Sequence, residues 1–406
     1  MTNLKNYYTS FYYYPLLLIA FLLPFNVGVA GGLSFSLLLY FIFGNKKEGN
    51  QLLLKNKWTY IFSLFFLIHA LAYFFSSNKA EALTAIEIKL GFIAFPLLIF
   101  SQKINDNIFI KVCYSFIFGL TACTLINFIR SFYFFFTENN FLVYSDFSFF
   151  MHASYYAMSL VFSIAILSAI KLTIFKKQLH NTIALLFLLI LFGSAIIASA
   201  SKLGILSFIL LLPIISAYHL LKQKKIKLLI SILIGLSISI SIFFQLNISP
   251  IQRLKNAFIF TQSSQEVDKT TTESNAVRML IWKESLTLIS EHSFLGVTPG
   301  DTNDLLYETY KSKGMTGALS KRLNTHNQYL QTAIGTGIIG ALLLLIMTLG
   351  IVITGILKKN ILLALFGLII VLNFLVESML QTQAGALFYV FFSCVLLSVN
   401  DSKSPS

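Results

Sequence analysis

The sequence predicts an all-α polytopic membrane protein, with about twelve transmembrane helices and one large, partly helical loop on the outer side. Three observations carry that prediction. Charged residues make up 11% of the 406-residue chain, against about 25% in soluble domains. Mean hydropathy is +0.78, and Phe alone occurs 41 times. Finally, apolar runs long enough to cross about 30 Å of hydrocarbon recur along the chain with short Lys clusters between them. Gly and Pro together make up 28 of 406 residues, below the usual share, which excludes collagen-like and low-complexity classes.

Taken in order, the runs fall at 13–28, 31–44, 58–75, 83–100, 108–136, 154–172, 181–200, 203–221, 226–246, 329–357, 360–377 and 379–398. The first two are short, and the Gly31-Gly32 turn between them allows a re-entrant alternative. Tyr residues at 7, 8, 12, 13 and 14 stand before and at the start of the first run, and no small-residue cleavage site follows it, as in an uncleaved span with an aromatic belt. Cys113, Cys123 and Cys394 stand alone in apolar stretches, without metal spacing, and read as buried thiols.

The net charge of +14 belongs to topology rather than to a nucleic-acid partner. Its Lys residues cluster between spans, as at Lys46-Lys47, Lys176-Lys177, Lys222 to Lys227 and Lys358-Lys359. With twelve spans both termini share a side, which holds 17 Lys and Arg against 4 in the short loops opposite. The positive-inside rule makes both termini cytoplasmic.

The chain then divides into spans over 1–246, an extracytoplasmic loop over 247–328, and spans with a cytoplasmic tail over 329–406. The loop of 82 residues holds 17 of the 46 charges, two of the six His and one of the two Trp. Long loops are usually functional or disordered. Gln262 to Asn275 reads as a polar flexible stretch. Beyond it, apolar residues at 277, 280, 281 and 288 predict an amphipathic helix over 276–291, capped by Ser274 or Asn275.

Chemistry concentrates in and around this loop. Arg278 and Trp282 are four apart, so they share a face on which the guanidinium can lie over the indole. An Arg presented to phosphate is the functional reading; a solvated Arg on a packed helix is the bland one. His326 follows Asn324-Thr325, either of which can cap the next helix. His326 then sits in a first turn, where the dipole disfavours imidazolium and suits a general base. A polar His merely ending a span is the alternative. Ser201-Lys202, at the turn between the seventh and eighth runs, puts a cation at membrane depth, unless that Lys simply snorkels. Glu377 lies in the turn between the last two runs and reads alone as a solvated turn residue. Gly335-Thr336-Gly337-Ile338-Ile339-Gly340 matches the dinucleotide fingerprint by letter. It lies inside an apolar run with no acidic residue in the next twenty positions, so close helix packing through small residues is the better reading.

With these residues in place, the chain resembles the O-antigen ligase family, within the superfamily that includes O-antigen polymerases. Three motifs carry the resemblance over most of the chain. Ser201-Lys202-Leu203-Gly204 stands for a Ser-Arg-Gly-like turn, with Lys in place of the usual Arg. Arg278 to Trp282 leads into Phe294-Leu295-Gly296-Val297-Thr298-Pro299-Gly300. His326-Asn327 runs on to Gly340.

The resemblance implies glycan transfer on the periplasmic face of a bacterial inner membrane, inverting, with no metal and no cofactor. The partners implied are an undecaprenyl-diphosphate-linked glycan donor, a lipid A-core or other glycan acceptor, and membrane lipids, with no nucleic acid. His326 would be the base and Arg278 the catalytic cation. Lys202, Ser201, Arg322, Lys321, Trp282, Asn327 and Glu377 would hold the diphosphate or the glycan. A polymerase of the same superfamily would use the same groups on a carrier-linked acceptor. A lipid-linked glycan transporter is the alternative of another class; it would place ionisable residues near the midplane, whereas here polar groups gather at one face.

Overall fold

A computed structural model of the chain describes residues 14–25, 31–35, 37–38, 47–102, 104–174, 179–222, 224–227 and 268–401, with scattered positions between 230 and 245. Among the described residues the regular elements are helices, and no strand occurs. Four are long and apolar enough to cross a membrane: Lys57–Phe75, Lys79–Phe100 (two helices in sequence), Asp106–Glu138 and Gln328–Leu357. Shorter apolar helices over Ala153–Ala169, Ile183–Ala198, Lys202–Tyr218, Ile361–Phe374 and Gln383–Val399 fall on further expected runs. Most of the expected run 226–246 and half of 31–44 lie outside the described residues. The chain is a helical membrane protein, and its packing divides into two units, Met1–Phe116 with Gln265–Ser406, and Ile117–Ser264.

In the first unit, α1 (Lys47–Lys55) leads to α2 (Lys57–Phe75), whose start is capped by Asn56 Oδ1 accepting from Trp58 N. A turn at Ser77-Asn78 reverses the chain into α3 (Lys79–Lys89), and Asn78 caps it by accepting from Glu81 N. α4 (Gly91–Phe100) follows. Its Phe92 and Phe95 meet Phe65 at 5.1 Å and Phe391 at 5.2 Å between ring centres. Such aromatic pairs fill large volumes without any polar atom to satisfy. α5 (Asp106–Glu138) begins here and continues into the second unit. There it is joined by α6 (Ala153–Ile174), α7 (Leu179–Ala198) and α8 (Lys202–Lys222). Tyr156 of α6 donates to Thr124 Oγ1 of α5 at 2.7 Å. Gly204 of α8 leaves room for Ala157 of α6.

From Asp268 to the start of the next long helix the chain folds as three helices. α9 (Ser274–Glu291) matches the expected amphipathic helix, but its cap is Glu273, whose carboxylate accepts from Asn275 N and Ala276 N at 2.8 Å. A carboxylate there both satisfies free N–H groups and faces the positive helix end. α10 (Thr302–Lys313) ends at Gly314 in the left-handed region, φ 71°, and α11 (Thr316–Ser320) follows. Val277, Ile281 and Leu288 of α9 are buried with Leu306, Tyr310, Met315 and Ala318.

Ile334 completes this core, and it comes from α12 (Gln328–Leu357). The long run is therefore not one continuous helix. Gly337 breaks it, at φ 63° and ψ −163°, a region open essentially to Gly alone. The intrahelical bond between Ile338 N and Ile334 O is replaced on both sides by one turn of the loop. Ile338 N donates to Ser293 O at 2.8 Å, and Ile334 O accepts from Val297 N at 2.9 Å. Both groups of the lost bond are thus paired again, which offsets the cost of the break. Gly335 and Gly337 are small because the turn lies against them: a Cβ would meet Pro299 and Thr302 at the first and the Phe294 carbonyl at the second. Small-residue packing was expected, but between helices; the partner is a loop.

α13 (Ile361–Phe374) and α14 (Gln383–Asp401) close the chain, with a 3₁₀ turn at Met379–Gln381 between them.

Candidate active site

Three segments distant in sequence meet at one carboxylate. Glu377, after α13, accepts from Arg278 Nη2 of α9 at 3.1 Å through Oε1. Its other oxygen faces His326 Nδ1 at 3.2 Å. Glu377 is only 9% exposed, whereas Arg278 and His326 keep 21% and 25% of their side-chain surface open. The carboxylate is thus buried behind the two groups it orients, and they remain reachable. Arg278 spends its donor on Glu377 rather than stacking on Trp282, and Trp282 Nε1 donates to Thr325 O at 2.8 Å. Both side chains of the Arg-x-x-x-Trp helix therefore fasten the His turn, one directly and one through Glu377.

The His turn is built before the helix, not inside it. Asn327 is the cap of α12, its Oδ1 accepting from Tyr329 N and Leu330 N. His326 lies one residue earlier, at φ 45°, which corrects the expected first-turn placement and removes the dipole argument built on it. A left-handed non-Gly residue costs roughly 1–2 kcal/mol, so the surroundings must hold it. Asn324 Oδ1 accepts from His326 N at 2.9 Å, and Gln331 Oε1 accepts from Thr325 N at 3.1 Å. Ser378 Oγ accepts from Asn327 N at 3.1 Å, next to Glu377 itself. Gln328 Oε1 accepts from Leu380 N at 2.6 Å, tying the same two turns again.

A carboxylate only accepts hydrogen bonds, so the nitrogen facing Glu377 carries the hydrogen. Nδ1–H then points inward and the Nε2 lone pair is left to receive a proton. That is the arrangement of a general base held by an acid residue. Glu377, which reads from sequence as a solvated turn residue, is buried and at the centre.

The remaining expected residues have other recorded surroundings. Lys321 ends α11 and is exposed. Arg322 is exposed, with its guanidinium 5.7 Å from the Tyr307 ring centre, and its carbonyl accepts from Tyr307 Oη at 3.1 Å. Ser201 and Lys202 belong to the second unit, where Ser201 Oγ accepts from Gly204 N at 3.2 Å as α8 begins. Among the described residues, no three of His, Cys, Asp and Glu group as metal ligands.

A second carboxylate fixes the loop to the rest of the first unit. Asp301 accepts from Ser77 N at 2.9 Å, Asn78 N at 2.7 Å and Thr298 Oγ1 at 2.8 Å. Partial burial works against its charge, but the hydrogen bonds from Ser77, Asn78, Thr298 and Ser76 together outweigh it and hold its pKa below the ordinary carboxylate value. Gly300 lies beside it, with no room for a Cβ against Ser76, Asn78 and Ala82.

No curated protein matches the chain. Residues 185–345 match the family model described as O-antigen ligase, a segment that takes in Arg278, His326 and the glycines of the α12 break. Through that segment the chain is similar to the O-antigen ligase family.

Proposed function

We propose that this protein transfers a glycan from a lipid-diphosphate carrier to a sugar hydroxyl, with His326 as general base. The family supports a glycosyltransferase-like membrane enzyme of the O-antigen ligase and polymerase group. The observation that carries the residue assignment is the Glu377 carboxylate facing His326 Nδ1 at 3.2 Å. Nε2 takes the proton of the acceptor hydroxyl as its oxygen attacks the anomeric carbon. The bond from that carbon to the carrier phosphate breaks on the opposite face, and the diphosphate leaves with the electron pair, so configuration inverts. Glu377 stabilises the imidazolium that forms. Arg278 gives one nitrogen to Glu377, and its fork has further donors for the departing phosphate oxygens. The assignment of Lys202, Ser201, Lys321 and Arg322 to the diphosphate rests on the resemblance and on charge. Ligase is favoured over polymerase by the combined Arg-x-x-x-Trp and His-Asn pattern, which follows the ligase family.

The test is transfer in proteoliposomes from an undecaprenyl-diphosphate-linked glycan, with lipid A-core offered as acceptor against a second carrier-linked unit. His326→Ala should lose about 10²–10⁴-fold in rate while still binding donor. Near-normal transfer by that variant removes His326 as base, and transfer only to the carrier-linked unit makes the protein a polymerase.

A further inference from the structure

The turn that enters the break of α12 carries two large apolar side chains that nothing covers. Phe294 is 67% exposed and Leu295 69%. Their backbone is fixed: Ser293 O accepts from Ile338 N, Gly296 N donates to His292 O at 3.1 Å, and Val297 N donates to Ile334 O. Below the break, Ile338 to Leu357 runs 20 residues without a charge, ending at Lys358-Lys359. At 1.5 Å per residue that is about 30 Å, the full thickness of the hydrocarbon. Ile338 therefore lies at the hydrocarbon boundary on the loop side, and the turn bonded to it lies at the same depth. The first turns of this segment are themselves open, with Ile338 at 48%, Ile339 at 42% and Leu342 at 51%. The apolar surface of the turn thus continues the exposed apolar surface of this segment.

We infer that Phe294 and Leu295 form a lipid anchor, entering the acyl-chain boundary of the leaflet nearest the loop and fixing the depth of the loop helices. The occupant is membrane lipid, whose acyl chains match an uncharged, exposed Phe-Leu pair. The inference stands on the break and the span length, independent of the reaction assigned to His326.

Nitroxide labels at Leu295→Cys, Leu342→Cys and Lys311→Cys, in a chain with the three buried cysteines replaced by Ala, test it in phosphatidylethanolamine–phosphatidylglycerol nanodiscs. Power saturation should show oxygen collisions exceeding those of a water-soluble nickel chelate at 295, as at 342, with the reverse at 311. A label at 295 that behaves like 311 overturns the anchor. In a chain with its cysteines intact, benzoylphenylalanine at 294 should give phospholipid adducts on illumination. Their absence, with the protein folded and monodisperse, also overturns it.

Discussion

Glu377 separates orientation from charge at the site, because its two oxygens serve two different cations. Glu377→Gln keeps an acceptor for His326 Nδ1 but loses the ion pair with Arg278. Glu377→Ala loses both. Transfer assays should rank wild type above Glu377→Gln above Glu377→Ala, the last approaching the roughly 10²–10⁴-fold loss expected of His326→Ala. Equal activity of all three would mean the carboxylate does not hold the base. Arg278→Lys should retain more transfer than Arg278→Ala, since charge survives without the fork. His326 and Arg278 were readable from sequence as candidates because a polar segment interrupts apolar runs around each. Glu377 was readable only as a residue holding the diphosphate or the glycan, not as the partner the two share. Glu377 is 51 residues from His326 and 99 from Arg278, and a lone acid between two apolar runs looks solvated until the fold buries it.

At the scale of elements, the α12 break makes a sharp demand on one residue. Gly337→Ala must force a side chain into a backbone region that costs roughly 1–3 kcal/mol and displace the Phe294 carbonyl. It should lower the midpoint of thermal unfolding in detergent more than Gly235→Ala, where a Cβ has open space. Asp301 offers a different handle. Its pKa is lowered in the fold, so its stabilisation is complete above the ordinary carboxylate value and is lost as pH falls through the folded value. Thermal unfolding followed between about pH 6 and 3 should show that acid-side loss in wild type and a flatter profile in Asp301→Asn. The amphipathic spacing of Val277, Ile281 and Leu288 announced α9, because burial on one face leaves a period. The break left no such trace, since Gly335-Thr336-Gly337 inside an apolar run has the same composition whether or not the helix continues. α10 went unread although Asp304 at its start, Lys311 and Lys313 at its end and Gly314 beyond are ordinary helix signals.

For the whole molecule, the Lys and Arg asymmetry of 17 against 4 predicts which side the loop occupies. A cysteine introduced at Thr270 should react with an impermeant reagent added to intact spheroplasts, and one at Lys224 should react only after lysis. The reverse order would turn the protein over and place the candidate site in the cytoplasm. The helical class was legible in the apolar runs, but run length alone did not show that the first turns of 329–357 would pack with the loop core through Ile334.

The three-way meeting at Glu377 also orders events during synthesis. A nascent chain that has emerged as far as Val376 already contains the imidazole and the guanidinium, but not the anion that sets their geometry. Ser378 and Leu380, which brace the same turn, arrive only afterwards, and α14 must insert to hold them. Translation therefore delivers competence last. A product truncated before Glu377 carries the recognisable motifs without the carboxylate that joins them.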